Sequence, residues 1–336
     1  MASTSLASVG DPNAVVTILE MAAASFGSSL RIVKSTGVEV TPLEDSLPPA
    51  MGQSLRHRIV LGDRYFGAVA STRHTVAVSA LQACGAQVID RLLAAGCLAA
   101  EEEAEELIAK APDHYTLESW VRRREEGEPL AWVTGTLQFC GRTLLIDPGV
   151  YVPRLQSEEL ARRAARLLAA SGGRAADLCT GSGAIASHLM GEAPAAAVVG
   201  ADIDTRAVAC ARRNGVHAVL GDLAGPLRPK GFDLVTAVAP YVPTDQLTVL
   251  PADVQRYEPR IALDGGHEGL DLVRRIVVSA SRLLRSGGWL LLELGGQQDK
   301  ALGPALAAAG FGPASSWFDE DGDLRGLEAQ ATGSSA

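Results

Sequence analysis

Aromatic side chains, lysines and basic runs are scarce in this chain of 336 residues. Aromatic residues make up 4% of the sequence, lysine occurs only four times, and the formal net charge is -9. Nucleic-acid binders neutralise phosphates with a basic surface, so this composition argues against a nucleic-acid partner. The densest basic run, 122–124, is followed directly by Glu125 and Glu126, which is typical of a solvated helix face.

Paired cysteines and long apolar runs are missing as well. The five cysteines are odd in number and none forms a Cys-x-x-Cys motif, so we expect no disulfide framework, no metal site and a reducing, cytoplasmic environment. No apolar run reaches about 18 residues, which argues against a membrane span. The first residues lack a basic region followed by an apolar stretch, so no signal peptide is predicted.

The patterning predicts four segments along the chain. Residues 1–74 read as a small α+β domain, either a packing domain that could form a homodimer or a ligand-sensing or substrate-capping domain. Residues 75–133 read as a helical domain on the substrate side, and 134–330 as a catalytic domain. The polar tail over 331–336 is predicted to be disordered.

Within the second segment, apolar spacing predicts three helices, over Val76–Ala95, Ala99–Ala111 and Thr116–Glu125. Thr116, with Glu118 and Ser119 nearby, offers capping groups for the third.

Beyond residue 134, apolar runs alternate with helical patterns. Strands are predicted at Leu137–Leu145, Ala175–Leu178, Val198–Asp202, Ala218–Leu220, Leu234–Ala237 and Trp289–Leu294. This alternation predicts an α/β fold with a mostly parallel, doubly wound sheet.

A glycine-rich turn follows the strand that ends near Asp177. It reads Asp177, Cys179, Thr180, Gly181 and Gly183 around Leu178 and Ser182. The glycines permit a tight turn and close approach of a ligand, and the helix that follows presents free N–H groups. The third glycine of a dinucleotide fingerprint is missing, and an acid that opens the turn suits a cationic amino-acid ligand better than a pyrophosphate.

Two further acids end the next strands. Asp202 follows the second strand, where a carboxylate can accept from both hydroxyls of a ribose, and Asp222 follows the third, where it can accept from an adenine amino group. Their neighbours Ile203 and Leu223 are assigned to the same site. This set resembles class I S-adenosylmethionine methyltransferases, so S-adenosyl-L-methionine is the expected cofactor.

Separated motifs resemble a narrower group, the HemK-like protein glutamine-N5 methyltransferases. They are the stretches 128–135, 139–141, 147–154, 157–158, 258–266 and 268–271, and the resemblance covers roughly residues 76–330. It implies a class I methyltransferase fold, Rossmann-like, with a mostly parallel seven-stranded sheet. It also places Tyr151, Pro153, Arg154 and Glu158 at the active-site rim.

The resemblance breaks at its catalytic motif. The family has Asn-Pro-Pro-Tyr, in which the asparagine side chain and the next carbonyl hold the substrate amide. Here the positions read Val238, Ala239, Pro240 and Tyr241. Valine offers no hydrogen-bond acceptor, so we expect little methylation of a release-factor glutamine.

Several functions therefore stay open. The first is a methyltransferase that acts on a small amine, amide or carboxylate of specialised metabolism. The second is a protein methyltransferase with a weakened amide clamp, and the third is a catalytically silent binder of the cofactor. Adenine methylation in nucleic acid fits poorly with the charge and the missing asparagine.

Overall fold

The computed structural model describes residues 85–332, which fall into two compact units that divide after Glu126. The predictions for 1–74, including a dimer contact there, lie outside the described residues, as do the first part of the predicted helix Val76–Ala95 and residues 333–336. No helix within 85–332 is long and apolar enough to cross a membrane.

The first unit contains three helices in its described part: α1 over 85–94, α2 (Ala100–Lys110) and α3 (His114–Glu125). They bury Leu92, Leu107 and Val121 completely. The amphipathic spacing therefore predicted this part of the chain correctly.

The capping group of α3 differs from the prediction. Asp113 stands in extended backbone at the N-cap, and its side chain accepts the N–H of Thr116 at 2.7 Å. Thr116 thus lies inside the helix, because Asp113, three residues before the predicted start, accepts its N–H group.

The second unit begins with the short helix α4 (Leu130–Thr134) and a two-stranded hairpin of β1 (Thr136–Phe139) and β2 (Arg142–Leu145). The prediction of one strand over Leu137–Leu145 was wrong. Cys140 and Gly141 both adopt positive φ, at 48° and 71°, and two such residues form the turn that reverses a hairpin.

The centre of this unit is a seven-stranded sheet in the order β5-β4-β3-β6-β7-β9-β8. Its strands are β3 (Arg174–Leu178), β4 (Ala197–Asp202), β5 (Ala218–Leu220), β6 (Phe232–Ala237), β7 (Leu284–Glu293), β8 (Ser315–Phe318) and β9 (Leu324–Gln330). The strands from β5 to β7 pair in parallel, whereas β9 runs antiparallel to β7 and β8. The mostly parallel, α/β architecture predicted from the alternation is confirmed.

Helices cover the sheet between these strands. They are α5 (Ser157–Ser171), α6 (Ala184–Glu192), α7 (Thr205–Arg213), α8 (Ala252–Tyr257), α9 (Asp271–Leu283) and α10 (Gln298–Ala308). Adjacent residues of β6 point to opposite faces: Leu234 joins the core under α5 and α6, and Val235 joins the core under α9 and α10. The sheet is therefore buried on both faces, as parallel sheets require.

The last two strands were not predicted. Gly326 lies against the ring of Trp317, in space that a side chain at position 326 would fill, and this glycine interrupts the apolar pattern of β9. Beyond β9, Ala331 still pairs with Phe311, so the described start of the predicted tail is hydrogen-bonded to the sheet's end.

The order in which strands are added to the sheet reverses between β3 and β6. The strands β3, β4 and β5 follow one another outward on one side, and β6 and β7 follow on the other. A ligand in such a sheet binds at the carboxyl ends of the strands beside this switch, which is where Asp177 and Val238 lie.

Candidate cofactor and acceptor site

The turn after β3 depends on its glycines. Gly181 and Gly183 have φ of 55° and 83°, a conformation that favours glycine. A Cβ at Gly183 would lie 2.9 Å from Val216 Cγ2, whereas one at Gly181 would meet nothing within 4 Å. Gly183 thus lets the turn pack against the protein, and Gly181 leaves open space on its ligand side.

Asp177 lies beneath this turn, with 1% of its surface exposed. Its two carboxylate oxygens accept from the hydroxyls of Thr180 at 2.6 Å and Thr236 at 2.8 Å. Burial raises the pKa of this carboxyl to about 6. The carboxylate therefore joins β3, β6 and the turn, and its predicted contact with the cofactor stays a prediction.

Asp202 connects the end of β4 to the glycine turn. Its Oδ2 accepts the N–H of Gly181 at 2.9 Å, and its Oδ1 accepts the N–H of Asp204 at 2.9 Å. A carboxylate has about four acceptor sites, so two backbone bonds leave capacity for two hydroxyl groups. The adjacent Ile203 side chain is 57% exposed and offers an apolar surface beside them.

Asp222 follows β5 and pairs with Arg275, whose Nη2 donates to Oδ2 at 2.6 Å. Its neighbour Leu223 has φ of 49° and is buried. Cys179 and Thr180 complete the turn between these acids. Burial raises the pKa of the Cys179 thiol, so this group stays neutral.

These residues fit S-adenosylmethionine. The open side of Gly181, the remaining acceptor capacity of Asp202 and the exposed Ile203 form a cradle for a nucleoside with a ribose diol. Asp202 would hold the ribose, Ile203 and Leu223 would flank the base, and the turn over Cys179–Gly183 would face the amino-acid part.

The motif after β6 is held from behind by two glycines and one glutamine. Gly265 approaches Pro240 so closely that a Cβ would lie 2.7 Å from its carbonyl oxygen, and Gly269 is similarly close to the Tyr241 carbonyl. Gln298 donates to that Tyr241 carbonyl at 2.9 Å. Ala239 and Pro240 are buried, so this loop presents mainly Val238 and Tyr241.

Val238 is half-buried and packs against the core under α5 and α6. Its side chain is a hydrocarbon at the position where the resembled family carries an asparagine. The loop therefore has no side-chain amide to grip a substrate at this point.

The Tyr241 hydroxyl lies among polar side chains from distant parts of the sequence. It donates to Glu293 Oε1 at 3.0 Å and accepts from Gln156 Nε2 at 2.8 Å. Glu293 ends β7, and only 1% of its surface is exposed. Burial raises the pKa of the Glu293 carboxyl and of the Tyr241 hydroxyl.

The predicted rim residues fall into two groups. Arg154 forms an ion pair with the buried Glu258 and stacks over the Tyr151 ring at 5.1 Å, and Pro153 lies beside them in the chain. Glu158 Oε1 instead accepts the N–H of Cys140 at 2.7 Å. Glu158 thus secures the hairpin turn, while Tyr151 and Arg154 lie near the Tyr241 cluster.

A cavity of about 1060 Å³ opens at the ends of β6 and β7. Its lining includes Tyr241, Leu250, Glu268, Gly295 and Lys300. This volume is enough for a small organic molecule.

The sequence prediction missed Gln156, Glu293, Gln298 and Arg325. The sequence offered a pattern for one of them. Glu293 is an acid at the end of the apolar run that predicted β7, and Asp177 and Asp202 end their strands in the same way. Gln156 and Arg325 carry no local signal, because their roles come from contacts across the fold.

Comparison with known proteins identifies the family to which the chain belongs. The model of the methyltransferase small domain matches residues 155–242. The release factor glutamine methyltransferase of Geobacter sulfurreducens is 42% identical over 54% of this chain and 66% of that protein. Its counterpart in Thermodesulfovibrio yellowstonii is 34% identical over 59% of this chain and 74% of that protein.

A third relative has a different acceptor in its name. The 4-amino-L-phenylalanine/4-methylamino-L-phenylalanine methyltransferase of Streptomyces pristinaespiralis is 38% identical over 56% of this chain and 68% of that protein. Relatives of similar identity thus act on different acceptors, and the family alone does not assign one. The chain belongs to the HemK-like family of class I S-adenosylmethionine-dependent methyltransferases, which includes the release factor glutamine methyltransferases.

Proposed function

We propose that this enzyme methylates the nitrogen of a small amine rather than the glutamine side chain of a release factor. The observation that carries this proposal is Val238, a hydrocarbon side chain at the end of β6. Val238 directly follows Ala237, which pairs with Leu178 at the end of β3, and this neighbourhood supports a role beside the predicted cofactor residues.

The chemistry of the acceptor explains why this residue matters. When bound, the cofactor supplies an activated methyl group on a positively charged sulfur. The acceptor nitrogen forms the new bond with its lone pair, the electrons of the broken sulfur–carbon bond stay on sulfur, and one N–H proton leaves the product.

An amide nitrogen has a delocalised lone pair, so two acceptors must hold its hydrogens and orient it. Leaving one buried amide hydrogen unpaired costs about 1–3 kcal/mol. Losing a contact of the transition state lowers rates by about 10²–10³, by analogy with oxyanion-hole deletions. The lone pair of an uncharged amine is less delocalised than that of an amide and does not need this clamp, so Val238 handicaps an amide far more than an amine.

A relative supports the amine. The Streptomyces pristinaespiralis protein is named for an aromatic amine. Such an amine is uncharged at neutral pH, and its lone pair, although shared in part with the ring, is more available than that of an amide.

The second candidate is protein glutamine methylation with a weakened clamp. It is favoured by the names of the relatives at 34% and 42% identity. In that case a backbone carbonyl of the motif would hold the amide without help from a side chain at position 238.

The two candidates separate in one assay. The full chain is incubated with labelled S-adenosylmethionine and either 4-amino-L-phenylalanine or a bacterial release factor, and methyl incorporation is measured. We expect methylation of the amine and at least about 100-fold slower reaction with the release factor. Val238→Asn should raise the release-factor rate, and Val242→Asn, at another half-buried valine of the same loop, should not.

Equal rates on the release factor for the wild type and Val238→Asn would contradict the proposal. Cofactor binding by calorimetry, with no product from either acceptor or from cell extract, would favour a silent cofactor binder instead.

We further infer that the enzyme works in the cytoplasm without a nucleic-acid partner. Within residues 85–332, Cys97, Cys140, Cys179 and Cys210 form no disulfide, which supports a reducing compartment. The net charge of -9 opposes binding to phosphate backbones.

A further inference from the structure

The polar cluster around the Tyr241 hydroxyl has a fixed direction of hydrogen bonding. Arg325 Nη1 donates to Gln156 Oε1 at 3.2 Å. Arginine can only donate, so this bond identifies the oxygen of the Gln156 amide and turns its NH2 group the other way. That NH2 group donates to Tyr241 at 2.8 Å and to Glu293 at 3.2 Å.

The donor and acceptor roles of Gln156 and Glu293 also fix the role of the Tyr241 hydroxyl. While Glu293 is ionised its carboxylate can only accept, so the Tyr241 hydroxyl donates its single proton to Glu293. A tyrosine hydroxyl has one proton and two lone pairs, and Gln156 occupies one lone pair. The second lone pair is left, and the hydroxyl has no proton to give to another group.

Arg325 is itself held in place. Its guanidinium pairs with Asp319 in the loop between β8 and β9, so the donor that sets the direction of the cluster is anchored on the edge of the sheet. The cluster therefore joins the start of α5, the ends of β6 and β7, and the β8–β9 hairpin.

We propose that Glu293 and Gln156 are positioning residues that make the Tyr241 hydroxyl a hydrogen-bond acceptor for the N–H of the methyl acceptor. This inference rests on the proposed function and narrows it. The site takes molecules that present an N–H group to Tyr241 and rejects carboxylates, which need a donor there and meet the charge of Glu293.

Tyr241 is suited to this contact by its place. It lines the cavity at the ends of β6 and β7, and it belongs to the motif in which Val238 provides no acceptor. The hydroxyl thus supplies an acceptor on the same loop, from a different side chain and a different direction.

The charge state of Glu293 sets the pH dependence. The groups that face it are Tyr241, Gln156, Ser157, the Arg325 guanidinium from β9 and the Tyr151 phenol. Burial raises the pKa of Glu293 above its usual range, and Arg325 and the hydrogen bonds act against this. A protonated Glu293 can donate to Tyr241, so the preference for N–H groups is lost as pH falls through this raised pKa.

The test uses a matched pair of probes, 4-amino-L-phenylalanine and 4-carboxy-L-phenylalanine, titrated calorimetrically into the full chain saturated with S-adenosylhomocysteine. We expect the amine to bind at least about tenfold more tightly than the carboxylate, a difference of about 1.4 kcal/mol. Tyr241→Phe should abolish the preference, and Glu293→Gln should reduce it about three- to tenfold.

The double variant tells positioning from general stability. If Glu293 acts through Tyr241, then Glu293→Gln changes the preference less than about twofold in the Tyr241→Phe background. Glu328→Gln, a half-buried glutamate of β9 outside the cluster, is the control and should leave the preference unchanged.

A second readout does not need a ligand. In protein labelled with ¹³Cζ-tyrosine, the Tyr241 resonance, identified from Tyr241→Phe, should move in Glu293→Gln and stay in place in Glu328→Gln. An unchanged Tyr241 chemical shift in Glu293→Gln would overturn the inference. Equal binding of the two probes, or no binding of the amine, would also overturn it. So would an effect of Glu293→Gln on the preference that persists in the Tyr241→Phe background. Preferential binding of the amine without methylated product would instead refute the proposed function and leave this inference standing.

Discussion

Replacing Asp177 by asparagine should make the stability of the protein less dependent on pH. Asp177 is completely buried beneath the glycine turn, and burial raises the pKa of its carboxyl from 3.8 to about 6. The folded state therefore favours the protonated form. The contribution of this group to stability is fully present below pH 3.8 and is lost as pH rises through about 6.

The size of the effect follows from the shift. A shift of about two pKa units corresponds to about 3 kcal/mol, at about 1.4 kcal/mol per unit. Linkage places about 1.3 kcal/mol of that loss between pH 5 and pH 7, where the protein can be handled easily. Asparagine has nearly the same shape and does not titrate, so it removes the pH-dependent part.

The assay is urea unfolding of the wild type and Asp177→Asn at several pH values from 5 to 7.5. Asparagine also changes the hydrogen bonds to Thr180 and Thr236, but that change in the free energy of unfolding is independent of pH. The difference between the two proteins should therefore shift in favour of Asp177→Asn by about 1.4 kcal/mol over this range.

Asp321→Asn, at an exposed position of the β8–β9 loop, is the control and should run parallel to the wild type. Parallel curves for Asp177→Asn as well would refute the reasoning, because they would show that Asp177 has the same pKa in the folded and unfolded chain.

Two other positions of the cofactor cradle give measurable expectations. Gly183→Ala should destabilise the fold by about 2–4 kcal/mol in urea unfolding, because φ is 83° and the new Cβ would lie 2.9 Å from Val216 Cγ2. Gly181→Ala, which meets open space, should cost about 1 kcal/mol, and equal losses would contradict this account. Asp202→Ala should weaken S-adenosylhomocysteine binding about 10–100-fold in calorimetry, or about 1.4–2.7 kcal/mol. Asp204→Ala, which removes the cap of α7, should change the affinity less than about threefold, and similar losses in both would show that Asp202 acts only through the loop.

The cofactor side of the site could be predicted from the sequence because its signals are local. The turn over 179–183 places two glycines at positive φ, and the acids at 177 and 202 end apolar runs that form neighbouring strands. Parallel strands bring their carboxyl ends to one edge, so strand ends alone place these residues together.

The hairpin at the sheet edge could not be predicted in the same way. Gly326 weakens the strand pattern of β9, and its reason is the ring of Trp317 on the next strand. The loop between the two strands is rich in aspartate and contains one glycine, which is a turn pattern in the sequence. In the structure Asp319 accepts the N–H groups of Asp321 and Asp323 there. A polar loop with a glycine between two apolar runs is typical of a hairpin.

The acceptor side depends on contacts between distant residues. Gln156 and Tyr241 are separated by 85 residues in the chain, and Tyr241 and Glu293 by 52. Gln156 looks like any polar residue before a helix, and Arg325 like any charged residue at an edge. Only the fold shows that they meet at one hydroxyl group.

This difference bears on how the catalytic motif is interpreted. Judged from the motif alone, Val238 removes an acceptor, and Tyr241 could either stack on a substrate or form a hydrogen bond with it. In the structure the Tyr241 hydroxyl gives its proton to Glu293 and keeps one lone pair, so the loop still has one side-chain acceptor. This acceptor can receive the N–H of an amine or of an amide, so it favours N–H groups over carboxylates and does not by itself separate amines from amides. The loss at Val238 and the direction of hydrogen bonding at Tyr241 are two independent observations: the first favours an amine over an amide, and the second favours an N–H group over a carboxylate.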